Sequence, residues 1–239
     1  MNILILGPAG SGKSLLTKNF GLYLESEGYI VKYLNLDPGV LKIPYKADFD
    51  IREKFTVEKI MRSEGLGPNG AILKAMDMLA DVSFPSFNGV DFTLIDTPGQ
   101  LEPFIFRDAG RKIVEKLDDC VCIFIVDLTA SKQNLVGFYL YSLVAKYTLN
   151  VETVIILNKV DLLNRNEIEK VKMILENPLL LFEAEGRSLR DELDFEVANI
   201  VRKFFPVQRI PLVSAKTWEG FNELLTMLYE VKCVCGDLT

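Results

Sequence analysis

Gly7-Pro8-Ala9-Gly10-Ser11-Gly12-Lys13-Ser14 sets glycines, a lysine and a hydroxyl at the spacing G-x-x-x-x-G-K-[ST]. The apolar run Asn2–Leu6 precedes it, and a helical pattern from about Lys13 to Glu27 follows. Strand, glycine-rich loop and helix in that order are the setting in which backbone N–H groups wrap a phosphate. Glycine matters because no Cβ blocks the approach of phosphate oxygens, and the helix adds the positive end of its dipole. In such a loop Lys13 reaches the outer phosphates and the Ser14 hydroxyl binds Mg²⁺. The expected nucleotide-binding set is Gly10, Ser11, Gly12, Lys13, Ser14 and Leu15.

A second constellation, Asp96-Thr97-Pro98-Gly99, ends the apolar run Asp91–Ile95. A carboxylate at the C-terminal end of a strand is where nucleotide folds place a magnesium partner. Gly99 would let its N–H approach the terminal phosphate. Asp37 ends the run Tyr29–Leu36 and opens Asp-Pro-Gly, a strong turn signal. It is also a candidate to hold a magnesium-bound water or accept a proton. Expected metal partners are therefore Ser14, Asp37 and Asp96. Gln100 follows Gly99 and can hold a water in line with the phosphate. Glu102 lies at the start of the next helix, where an acid is stabilising in any case; a catalytic role for it is the alternative.

Asn158-Lys159-Val160-Asp161 ends the run Val151–Leu157. The Asp161 carboxylate can accept from the N1–H and N2–H₂ edge of guanine, whereas adenine offers no such pair of donors. Charge-assisted bonds are worth about 1.5–3 kcal/mol each, so two of them reject adenine by orders of magnitude. The Lys159 stem can lie along the base, and Asn158 is expected to tie this loop to the phosphate loop. Ser214-Ala215-Lys216 ends the last apolar run, where the Ala215 N–H can meet guanine O6.

These residues need a scaffold that brings loop ends together. Short runs rich in Val, Ile and Phe recur at Asn2–Leu6, Tyr29–Leu36, Asp91–Asp96, Val121–Asp127, Val151–Leu157 and Ile210–Val213, with helical patterns between them. One apolar stripe comprises Leu135, Val136, Tyr139, Leu140, Leu143, Val144 and Tyr147; another comprises Phe221, Leu224, Leu225, Leu228 and Val231. The alternation predicts an α/β fold of the P-loop NTPase kind, three layers α/β/α around a mainly parallel sheet. Residues 1–239 read as a single domain with helical insertions at about 38–88 and 164–206. The first insertion is expected to hold two short helices and a glycine-rich turn. The second is charged and amphipathic, with Leu189, Leu193, Val197, Ile200 and Phe204 on one face, and is the expected surface for a protein partner.

Composition narrows the field. The 239 residues carry 27 basic and 33 acidic side chains, a net charge of −6, which argues against a dedicated nucleic-acid binder. No apolar run approaches the roughly 20 residues of a membrane span, and no leader is legible, so a soluble cytoplasmic protein is expected, with no membrane partner. There is no histidine, so acid–base or water-orienting work falls to Asp, Glu, Gln or Lys, and His-ligated zinc is excluded. Cys120 and Cys122 read as buried structural thiols. Cys233 and Cys235, in the tail, do not make a zinc site without further ligands.

Leu66-Gly67-Pro68-Asn69-Gly70, in the first insertion, reads by composition as a turn. Together with Asp37, Asp96–Glu102 and Asn158–Asp161, it gives the chain a resemblance to the GPN-loop GTPases, members of the SIMIBI class of P-loop proteins found in archaea and eukaryotes. The resemblance covers nearly the whole chain, including the terminal Cys-Val-Cys-Gly-Asp. It implies GTP and GDP as ligands, Mg²⁺, hydrolysis of GTP, and a constitutive homodimer. It also implies that Gly67, Pro68 and Asn69 of one subunit enter the site of the other. There the neutral amide of Asn69 could position water where other GTPases use an arginine. Catalytic candidates on this reading are Lys13, Asp37, Asn69, Gln100 and Glu102. A switch sensed by a protein client follows, as in family members that resemble polymerase assembly factors. The alternative is a guanine-nucleotide-binding scaffold with negligible turnover. A P-loop kinase is disfavoured, because no acceptor lid with several arginines is legible.

Overall fold

A computed structural model describes residues 1–85, 87–129, 135–176, 195–196, 199 and 209–236. Among these residues seven parallel strands form one sheet: β1 (Asn2–Leu6), β2 (Val31–Asn35), β3 (Phe49–Asp50), β4 (Phe92–Asp96), β5 (Cys120–Asp127), β6 (Glu152–Asn158) and β7 (Leu212–Val213). Their spatial order is β3-β2-β4-β1-β5-β6-β7. Six strands coincide with the apolar runs of the sequence. The seventh, β3, is a two-residue edge strand without an apolar signature, pairing Leu34 with Phe49 and Asn35 with Asp50.

The period of two along the strands sends alternate residues to opposite faces. Ile3, Ile5, Leu94, Ile123 and Ile156 pack with α1 (Lys13–Ser26) and the C-terminal helix α8 (Phe221–Gly236). Leu4, Leu6, Ile95, Phe124 and Leu157 pack on the other face. That face is covered by α2 (Val57–Glu64), α3 (Pro68–Ala80), α4 (Leu101–Phe106), α5 (Asp108–Glu115), α6 (Leu135–Leu149) and α7 (Arg165–Glu176). Each fully buried Leu, Ile or Phe contributes about 1.5–3 kcal/mol, and both faces are needed to cover a parallel sheet. The expected three layers are present.

Local readings differ in three places. The apolar side of α6 is turned the other way: Phe138, Tyr141, Ala145 and Leu149 meet the core, while Leu140, Val144 and Tyr147 are exposed. That helix is apolar on more than one face, so periodicity alone does not select the buried one. In the first insertion α3 runs to 13 residues, and Gly67-Pro68-Asn69 is its first turn, not a loop turn. Proline suits N1 because its missing N–H is unpaired there anyway. The tail cysteines sit on helix α8; Cys233 is exposed, Cys122 is buried and Cys120 is partly buried. The amphipathic face Leu189 to Phe204 lies outside the described residues. Among the described residues no helix is long and apolar enough to cross a membrane, and no group of three metal-ligating side chains of the His, Cys, Asp and Glu kind gathers.

Candidate functional site

Every residue singled out for chemistry in the strand-end motifs lies at or just beyond the C-terminal edge of the sheet. Asp96, Asp127 and Asn158 are the last residues of β4, β5 and β6. Gly7 follows β1, Asp37 follows β2, and Ser214 follows β7. A parallel sheet collects its loops on this edge, and ligands bind there.

The phosphate loop joins β1 to α1. Gly12 caps α1 with φ +102°, a conformation that side chains rarely adopt, and a Cβ there would stand 2.5 Å from Asn158 Nδ2. The position demands glycine twice over, for backbone and for space. Lys13, 6% exposed, turns its ammonium back on its own loop, donating to the carbonyls of Gly7 at 2.8 Å and Pro8 at 3.1 Å. Burial pulls its pKa below the ordinary lysine value, against the opposing charges of Asp96 and Asp37. Ser14 is half-buried and Leu15 exposed.

Asp96 is 1% exposed. Its Oδ2 accepts from the Tyr45 hydroxyl at 3.0 Å. Ser14 stands close enough to favour its charge, short of a well-formed hydrogen bond. Burial pushes the Asp96 carboxyl up to about 6, against the influence of Ser14, Tyr45 and Lys13. Two buried polar atoms here, Asp96 Oδ1 and Ser11 Oγ, have no hydrogen-bond partner among the described residues. Such atoms are rare in native proteins and cost about 1–3 kcal/mol each. A carboxylate, a hydroxyl and the nearby Asp37 are hard oxygen donors of the kind Mg²⁺ prefers, so the residues fit that ion.

Asp37 Oδ1 accepts the Gly39 N–H at 2.8 Å and its Oδ2 accepts the Gly99 N–H at 3.0 Å. The Gly99 N–H expected to face a phosphate is thus held by Asp37. Asp37, Gly99 and Gln100 line one cleft of about 860 Å³ that also reaches Arg52 and the apolar Met61 and Met76 of the first insertion. Gln100 is exposed at the start of α4, with no side-chain capping bond. Glu102 does not line this cleft; it is exposed on the first turn of α4, beside Tyr141, whose phenol burial and Glu102 push up to about 12. Gly67, Pro68 and Asn69 are exposed, outside the cleft walls, and no hydrogen bond joins them to the phosphate loop among the described residues.

The base end is built differently. The Asn158 amide, 1% exposed, donates to Ser11 O at 2.8 Å, and its Oδ1 accepts the Ala215 N–H at 2.9 Å. One side chain therefore joins three loops. The Ala215 N–H expected to meet guanine O6 donates to Asn158, and an O6 acceptor would share it or meet the N–H of exposed Lys216, held by the longer 3.2 Å bond to Ser214 Oγ. Ser214 Oγ donates to Asp161 Oδ1 at 2.6 Å and so orients that carboxylate. Lys159, at φ +71°, pairs with Asp127 Oδ2 at 2.5 Å. Burial works against the Asp127 charge, but bonds from Lys159 and Thr129 outweigh it and hold the carboxyl below the usual range.

Sequence reasoning missed Asp127, Tyr45 and the trio Asn35, Asp50 and Arg52. The rule that selected Asp96, an acid ending an apolar strand, would also have selected Asp127, the register partner of Asn158. Tyr45 lies in an irregular loop and carries no local signal.

The chain resembles known proteins along its length. Residues 5–234 match a family model described as a conserved hypothetical ATP binding protein. GPN-loop GTPase PAB0955 of Pyrococcus abyssi is 38% identical over the full length of both chains. Its crystal structure, of a GTPase in apo form, superposes with a TM-score of 0.86 at 36% identity, covering 98% of each chain. GPN-loop GTPase 1 of Dictyostelium discoideum is 31% identical over 71% of this chain, which spans 46% of that longer relative. A carboxylate at Asp161 favours guanine over the adenine in the family model's description, and full-length identity points the same way: the chain belongs to the GPN-loop GTPases.

Proposed function

We propose that the chain binds guanine nucleotide and hydrolyses GTP to GDP and phosphate with Mg²⁺, working as a homodimeric switch that a protein client senses. The observation that carries the reading is the Asn158 bridge. By bonding Ser11 and Ala215 it fixes the guanine-reading carboxylate at a set distance from the phosphate loop. Asp161 retains acceptor capacity beyond its bond to Ser214, since a carboxylate offers about four lone-pair sites, enough for the two donors of guanine.

At the other end, Lys13 exchanges its own loop carbonyls for phosphate oxygens and spreads positive charge over them. Ser14, Asp96 and Asp37 would hold the ion, which when bound neutralises charge on the phosphate oxygens. Gln100, exposed at the cleft, is placed to orient a water, and Asp37 to accept its proton or hold a magnesium-bound water. The bond between Asp37 and the Gly99 N–H supplies the two-state element: a terminal phosphate competes for that N–H, and its loss restores the bond. The exposed position of Gly67, Pro68 and Asn69, outside this chain's own cleft, supports their use by a second copy.

Phosphate release measured for the wild type and for Gln100→Leu tests turnover; equal, negligible rates would favour the scaffold reading. The dimer is tested by mixing Lys13→Ala with Asn69→Ala, each inactive alone. Partial recovery in demonstrated mixed dimers is expected, and no recovery would count against the trans arrangement.

A further inference from the structure

The two-residue strand β3 is too short to add much packing, yet it delivers a carboxylate to the back of the catalytic loop. Asn35, the last residue of β2 and fully buried, faces Asp50, the last residue of β3. Its Nδ2 donates to Asp50 Oδ1 at 2.9 Å, and its Oδ1 accepts the Asp37 N–H at 3.1 Å. Asp50 caps the following 3₁₀ turn (Ile51–Glu53) by accepting the Arg52 N–H at 3.0 Å. The Arg52 guanidinium grips the same carboxylate, Nε at 2.9 and 3.1 Å and Nη2 at 2.5 Å. Its remaining Nη1 donates to the carbonyls of Val40 at 3.3 Å and Leu41 at 3.1 Å.

The segment from Asp37 to Leu41 is therefore tied at both ends to one carboxylate: at Asp37 through Asn35, and at Val40 and Leu41 through Arg52. We propose that Asn35, Asp50 and Arg52 are positioning residues that hold Asp37 in its place beside Gly99 for GTP hydrolysis, a proposal that rests on the reading of Asp37 given above. An arginine and an aspartate two residues apart join no distant parts of the fold by themselves; what they fasten is the Asp37 loop. The chemistry requires arginine. Its planar fork holds the carboxylate and two carbonyls at once, whereas lysine offers a single point charge.

The test combines single-turnover GTP cleavage, GDP affinity from displacement of a fluorescent GDP, and amide exchange of residues 37–41. Arg52→Lys is expected to slow cleavage about tenfold, the worth of one charge-assisted bond. GDP affinity should change by less than about threefold, because the clamp touches neither the base loop nor the phosphate loop. Asp50→Asn should behave alike, and serves if Arg52→Lys does not fold. Added to Asp37→Asn, either substitution should slow cleavage no further, since residues acting through Asp37 cannot act without it. Exchange at the Gly39 amide should accelerate in both variants whether or not cleavage is measurable. Multiplying losses, unchanged cleavage in both variants, or unchanged exchange would overturn the proposal. If Asp37→Asn keeps the wild-type rate while Arg52→Lys is slow, the Asp37 reading and the proposal both fail. A wild type that cleaves no GTP, with exchange still accelerated, would defeat the hydrolysis reading and leave the clamp on Asp37 supported.

Discussion

The base end and the phosphate end of the site share one sheet edge but differ in how their polar groups are satisfied. At the base end Asn158 bonds Ser11 and Ala215, Ser214 bonds Asp161, and Lys159 pairs with Asp127, and those bonds hold the loops together. At the phosphate end Lys13 occupies carbonyls of its own loop, Gly99 is held by Asp37, and Ser11 Oγ and Asp96 Oδ1 are buried without hydrogen-bond partners among the described residues. The base end is a set of loops already bonded together; on the proposed reading the phosphate end would change partners when nucleotide binds. On that reading affinity for the base would come from preorganisation, and response to the phosphate from exchange of contacts.

The largest expected effect separates binding from stability. Lys13→Ala removes two charge-assisted phosphate contacts worth about 1.5–3 kcal/mol each, a loss of roughly 10²–10⁴ in GTP affinity by calorimetry. The Tm of the nucleotide-free protein should hold or rise, because burial of the charged head already opposes it. Asn158→Ala should do both kinds of damage. It strands Ser11 O and the Ala215 N–H, at about 3 kcal/mol in all, and lowers Tm by roughly 6–12 °C. A Tm change of the same size and sign in both variants would erase the distinction between the two ends.

The carboxylates give a pH contrast. Asp96, pushed up to about 6, takes a proton in the folded state that the unfolded chain has lost. Its contribution to stability is present below the ordinary carboxylate value near 4 and is lost as pH rises through about 6. Asp127 is held low, so its contribution is present above that ordinary value and is lost as the pH falls through its lowered folded value. Asp96→Asn should therefore raise nucleotide-free stability at pH 7, by about 1–3 kcal/mol, with the gain shrinking toward pH 4. Denaturant melts across that range check the sign. The smallest effect is expected of Asp127→Asn, about 1 kcal/mol and weaker in high salt, since its pair with Lys159 keeps some solvent access.

Much of this arrangement was legible in the sequence because it is local. Glycine spacing before Lys13, acids closing apolar runs, and Asn-Lys-x-Asp each carry their chemistry within a few residues. The six strands that coincide with apolar runs were legible because a sheet covered on both faces needs such runs. What could not be read depends on long-range or degenerate signals. Proline and glycine look alike in a turn and at a helix start, so the opening turn of α3 read as a loop. An apolar helix surrounded by apolar positions, α6, does not announce its buried face. Asn35, Asp50 and Arg52 act together only because β2 and β3 lie side by side, and nothing in a two-residue Phe-Asp strand predicts that pairing.

The proposed guanine site is tested most directly by equilibrium binding of GDP and of xanthosine diphosphate to the wild type and to Asp161→Asn. On the proposed reading the carboxylate would accept from both donors on the edge of guanine, whereas an amide there would pair with the oxo group of xanthine. The account predicts a wild type that prefers GDP by about 100-fold or more, the worth of two such bonds, and a variant whose preference is reversed. An Asp161→Asn protein that keeps its affinity for GDP and gains none for the xanthine nucleotide would contradict it.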